Sequence, residues 1–401
     1  MNFLRAARAA LTGPSGLPRM LAAIAIIMAS LSLSCGSKST STAPNHIAYV
    51  TLPNNGSVLL LQIDGATGAI VPGAQTPNQN GFTPTALALA PSRKFLYAIN
   101  SYNYTISIFN VANDGTLSSN INPVPAGSGP TAAIVDPFGG YLLVTNVFSN
   151  DISVYKINSS GALSELTASG SPFPANEGPT QITFTHSGKF VYVTNPVLGM
   201  VTGFSFANGV LTQLPGSPTL SGAGAAALVV DGSDRFLYVA NPSASNAAPY
   251  EYTTGNISGF EIADGTNPSY PTPGELIPIE GSPFVSTAGT EGPTMITIDP
   301  TGSLIYAITS GSSDSIWCFS LNAENTQYGQ LVEVTGSPFS VAAGGLFALF
   351  DPNSDYFYIG SESAKGIEGY SYDSSTGVLK ALSGSPYSTA GVAPGEMVFS
   401  E

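Results

Sequence analysis

From residue 46 onward, apolar and polar positions alternate in short bursts separated by Gly, Asn, Ser and Pro. The clearest bursts span 58–63, 106–111, 152–157, 201–206, 257–262, 316–321 and 367–372. Most open on Ile or Val, pass through a small or polar residue, and carry an aromatic near the end. Short runs rich in β-branched and aromatic residues, bounded by turn formers, predict strands. Both faces of these strands carry apolar groups, so each is expected to be buried on two sides. A sheet packed between two other sheets meets that condition.

The bursts belong to a repeated unit. Each follows a marker of the form Tyr192-Val193-Thr194-Asn195, with variants at Tyr49, Tyr97, Leu143, Tyr238, Tyr306 and Tyr358. Each is followed by a Gly turn and a short outer strand. Five units then carry a Gly-Ser-Pro turn, at Gly170, Gly216, Gly281, Gly336 and Gly384. An opening strand precedes each marker, usually starting at a Pro and often ending in Asp-Pro, as at Pro130 and Pro293. Four short strands per unit, recurring at 46 to 68 residues, predict a propeller blade. Seven opening strands predict an all-β, seven-bladed β-propeller. The chain enters with the second strand of a unit at 47–51 and ends with an opening strand at 394–400. Pairing of these two is expected to complete blade one and close the ring. Blade five carries insertions at 242–256 and 264–275.

The marker, the Gly-Pro opening and the seven-fold count resemble the seven-bladed lactonase family. That family includes 6-phosphogluconolactonase-like enzymes and YVTN-repeat surface proteins. The resemblance covers about residues 45 to 401. For lactonase members it implies an Arg and His in opening strands and a glutamate just after a second strand. Lactone opening needs a base for water and a cation for the developing oxyanion. Here the Arg slots hold Thr85, Thr131, Thr180, Ala226, Thr294, Leu346 and Gly395. The His slots hold Ala86, Ala132, Gln181, Ala227, Met295, Phe347 and Glu396. Of the glutamate slots, only Glu362 carries the expected residue. The fold is therefore expected without the family's catalytic set.

The first residues read as an address. Arg5, Arg8 and Arg19 precede an apolar run at 20–33, the pattern of an export signal. The stretch Leu31-Ser32-Leu33-Ser34-Cys35 resembles a bacterial lipoprotein signal, with lipid carried on Cys35. The chain thus divides into a signal (1–34), a flexible tether (35–45) and the propeller (46–401). A lipid-anchored protein of the periplasm or cell surface is expected, with an outer membrane favoured by Gly36 after the cysteine.

Charge and chemistry narrow the picture. Net charge is −14, and only 9% of residues are charged. An acidic body repels nucleic acid, so no nucleic-acid partner is expected. Cys318 occupies a slot of small apolar residues, and His46 and His186 are the only histidines. No ligand spacing suggests a metal, and no fingerprint suggests a cofactor. The candidates are acids and aromatics of the channel mouth: Glu177, Glu291, Glu362, Glu396, Tyr250, Glu251 and Tyr252. The expected function is non-catalytic binding of a carbohydrate, small molecule or envelope protein. The alternatives are a lactone hydrolase with a rearranged site and a structural or adhesive surface protein.

Overall fold

The computed structural model describes residues 46–400, apart from 77–81, 244, 248–249, 253, 288–290, 310–313, 323–327, 342–343 and 353–354. The signal, the tether and Cys35 lie outside the described residues. The strands form seven propeller sheets and one small hairpin. Blade two shows the plan: Pro84–Leu89 innermost, then Phe95–Asn100, Thr105–Val111 and Leu117–Pro125, each antiparallel to the next. Blade one takes its innermost strand, Met397–Ser400, from the far end of the sequence. That strand pairs with His46–Leu52, setting Ile47 opposite Ser400 and Val50 opposite Met397.

Burial explains the ring. The buried apolar residues gather into clusters, each lying between two successive blades. Blades seven and one share such a cluster, in which Phe347, Tyr358 and Ile367 meet Val50, Leu61 and Met397. The two-sided apolar character of the third strands is thus used: Ile106 and Ile108 face blade three, while Phe109 faces blade one. Burial of this area is the main stabilising term.

The outer strand is broken in the five blades with a Gly-Ser-Pro turn. A strand that bulges leaves an N–H of its neighbour without a ladder partner. The serine hydroxyl supplies one, accepting from Val154 N (2.9 Å), Gly203 N (2.7 Å), Gly259 N (2.9 Å), Cys318 N (3.0 Å) and Gly369 N (3.0 Å). In blade one Thr76 does the same for Val58 N.

The marker tyrosine joins one blade to the next. Tyr49 OH donates to Gly115 O in blade two (2.7 Å), and Tyr97 OH to Gly161 O in blade three (3.0 Å). Tyr192, Tyr238 and Tyr306 reach Gly274, Gly329 and Gly377 in the blade that follows each. Tyr358 of blade seven reaches Gly68 of blade one (2.7 Å). Burial pushes the Tyr49 phenol up to about 12 and the others higher, so all remain donors. In blade three the position is Leu143. Tyr238→Phe should therefore cost about 1–2 kcal/mol in chemical denaturation, since a buried carbonyl loses its donor. Tyr270→Phe, on a loop, serves as the control; equal losses in the two would contradict this role.

Candidate functional site

The ends of the strands define two faces. The starts of opening strands, the linkers between blades and the turns after the second strands share the mouth face. The Asp turns after the opening strands share the far face.

On the mouth face the last two marker residues fix the backbone. Asn195 is buried and donates from Nδ2 to Ala175 O (2.8 Å) and Glu177 O (3.0 Å), clasping the linker that enters blade four. Asn241 likewise reaches Ser221 in the next linker. Gly127 shows how tight the fit is, since a Cβ there would lie 2.3 Å from Asn146 Nδ2. The threonine holds the start of the opening strand. Thr145 Oγ1 accepts from Ala132 N (3.1 Å), Thr194 Oγ1 from Gln181 N (3.0 Å) and Thr51 Oγ1 from Glu396 N (2.8 Å).

These contacts place a wall of hydroxyls where the opening strands begin. Thr131 and Thr145 hydroxyls lie 2.9 Å apart, those of Thr180 and Thr194 3.0 Å apart, and Thr85 is bonded to Ser101. Glu396 is the acid at the start of the opening strand of blade one. Its backbone is fixed from both sides by Thr51, which donates from N to Glu396 O (2.9 Å). Its carboxylate crosses to blade two and accepts from Leu87 N (2.8 Å). Leu87 lies on an innermost strand, which has a ladder partner on one side only. The Leu87 N–H thus faces the axis, and Glu396 covers that free edge. Burial raises the Glu396 carboxyl to about 7, against the opposing pull of the Leu87 N–H. The group is therefore poised to hold or release a proton near neutrality.

The other candidates are spread around the mouth. Glu177 is exposed on the linker to blade four, and Glu291 is half-buried just before Pro293 of blade six. Glu362 is exposed in blade seven, where its N donates to Gly344 O (2.9 Å). Four glutamates on four blades do not form one cluster, and no group of three His, Cys, Asp or Glu could hold a metal among the described residues. Tyr250, Glu251 and Tyr252 form one strand of the blade-five hairpin, paired with Ser245–Ala247; their side chains lie outside the described residues.

Both histidines sit on the far face. His46 Nδ1 lies 2.5 Å from Asp351 Oδ2, bridging blades one and seven. His186 lies 3.0 Å from Asp234 and is exposed. Cys318 is buried, and burial pushes its thiol up to about 12, which removes it as a nucleophile. Sequence reasoning passed over Glu368, which is buried and accepts from Tyr370 OH. Its signal was an acid in a slot where Ser107, Ser153, Thr202 and Ser258 stand in other blades.

A family model described as lactonase, 7-bladed beta-propeller, matches residues 45–171, 167–268 and 245–396. No curated protein matches the chain by sequence. Among solved structures, a protein of Bacteroides uniformis provisionally named a 6-phosphogluconolactonase is 20% identical, with a TM-score of 0.71 over 89% of this chain and all of that one (100%). A Bacteroides fragilis protein named in the same way is 18% identical, with a TM-score of 0.72 over 91% of this chain and 100% of its own. The Pseudomonas aeruginosa periplasmic gluconolactonase is 17% identical, with a TM-score of 0.66 over 89% and 99%. At these identities the likeness speaks for the fold.

Proposed function

The chain belongs to the lactonase family of seven-bladed β-propellers, and on that premise we propose that its channel mouth binds an uncharged, hydroxyl-rich ligand of the sugar-lactone class. The observation that carries this reading is the set of half-buried hydroxyls where the opening strands begin, Thr85, Thr131 and Thr180, backed by Ser101, Thr145 and Thr194, with Glu396 as the acid at the start of the opening strand of blade one. These half-buried hydroxyls can donate to or accept from a polyol, while Thr145 and Thr194 behind them are buried and hold the backbone. A phosphorylated ligand is disfavoured, because threonines, alanines and other uncharged residues occupy the slots where a cation would stand.

A second reading is favoured by the near-neutral carboxyl of Glu396. In its carboxylate form Glu396 would take a proton from water as the water oxygen attacks a lactone carbonyl. The ring C–O bond would then break, and the departing alkoxide would take the proton back, giving a hydroxy acid.

Glucono-δ-lactone separates the two. The expected result is saturable binding with hydrolysis no faster than in buffer from pH 5 to 9. Hydrolysis that rises through pH 7 and is lost in Glu396→Gln would establish the enzyme reading instead. Neither binding nor turnover would leave the structural or adhesive role. The proposed address is an exported protein held at the cell envelope by lipid on Cys35. Mass spectrometry of the mature N-terminus tests it: an acylated Cys35 is expected, and an unmodified N-terminus would refute the anchor.

A further inference from the structure

The blades differ at one position outside the channel. The residue after Gly-Ser-Pro is aromatic in four blades: Phe173, Phe284, Phe339 and Tyr387. Each ring folds back over its own turn. A Cβ on Gly170, Gly281, Gly336 or Gly384 would lie 3.3 to 3.9 Å from that ring. The rings also pack against the blade cores. In blade four the residue is Thr219, and a Cβ on Gly216 would meet nothing within 4 Å.

The third strand beneath this space carries a glycine as well. In blades five and seven the aromatic ring lies over a third-strand glycine, Gly259 or Gly369, at 3.1 and 3.0 Å from a Cβ built there. Blade four has the glycine, Gly203, without the ring. The result is a groove of about 430 Å³ between Gly203, Thr219 and the blade-five insertion. Tyr270 lines it, together with Tyr192 and Leu214, which lie against Gly203. Glu275 is the one charged residue that lines it. Volumes of several hundred Å³ suit a small ligand.

We propose that this groove is a binding site for a small neutral phenol, whose ring takes the place that Phe or Tyr fills in four other blades. The ring would stack in the slot over Gly203 and beside Tyr270. Glu275, which lines the groove, would accept from a hydroxyl and repel a carboxylate, which selects phenols over aromatic acids. The site lies between blades four and five and is independent of the channel.

Ligand-observed NMR with p-cresol on the full chain tests this. Saturable binding is expected for the wild type and for Thr219→Ser, with benzoate at least about tenfold weaker. Thr219→Phe should abolish binding by filling the slot, and Tyr270→Ala, on a loop that does not threaten the fold, should weaken it severalfold. No p-cresol binding by the wild type, undiminished binding by either of these two variants, or equal binding of benzoate would overturn the proposal. So would a tyrosine-containing peptide that binds far more tightly than p-cresol, since the occupant would then be a partner's side chain.

Discussion

Glu396→Gln is expected to stabilise the protein at pH 8 and to change it little at pH 5. The folded state raises this carboxyl from 4.5 to about 7. Between those values the native chain keeps a proton that the unfolded chain gives up. The site's contribution is thus fully present below pH 4.5 and is lost as pH rises through 7. A shift of this size corresponds to about 3 kcal/mol at high pH. Glutamine is neutral throughout and its carbonyl oxygen can still accept from Leu87 N, so it avoids the cost. Thermal melts at the two pH values check this. An equal gain at both, or a loss at pH 8, would show that Glu396 is not held neutral by its surroundings.

Gly161→Ala should destabilise the protein by about 3 kcal/mol, the sum of two costs. Gly161 has φ +81°, where an L-residue loses roughly 1–2 kcal/mol. A Cβ there would lie 2.3 Å from the Phe95 ring of the preceding blade, and overpacking adds about 1–3 kcal/mol. The Gly161 carbonyl also takes the bond from Tyr97, so any shift of the turn strains the joint between blades. Gly216→Ala isolates the first cost, because φ is +72° there with nothing within 4 Å of the Cβ. Denaturant titration should show the larger loss at Gly161. Similar losses at both would mean that the turn gives way without disturbing its neighbour.

The blade count was legible because each unit repeats the same local chemistry. Tyr192-Val193-Thr194-Asn195 and the Gly-Ser-Pro turns recur at positions where strand and turn propensity agree. What each marker residue does was not legible. Tyr97 acts 64 residues away and Tyr358 acts 290 residues away. No local pattern encodes a partner in the next blade. The acids of the mouth were legible as residue types on mouth-face positions. Their differences were not: Glu362 is exposed, whereas Glu396 owes its raised carboxyl to burial against blade two, where it meets Leu87, 309 residues distant. Thr219 stood in plain view among Phe173, Phe284, Phe339 and Tyr387. Its meaning needed the glycine beneath it, Gly203, which comes from another strand.

Leu143 gives the ring a seam. Six tyrosines bolt the far face from one sector to the one after it, and the seventh bolt is missing between sectors three and four. The entrance side of that joint is still fastened, by Thr131 to Pro179 O (3.3 Å), Thr145 to Thr180 O (3.2 Å) and Asn150 to Gly178 N (2.8 Å). Among the described residues the opposite rim of that joint is held by apolar packing, with Tyr141, Leu166 and Phe206 in one cluster, and this is the weaker side. Thermal breathing of the disc should therefore start there, with the two sectors parting like a fan at the rim opposite the entrance.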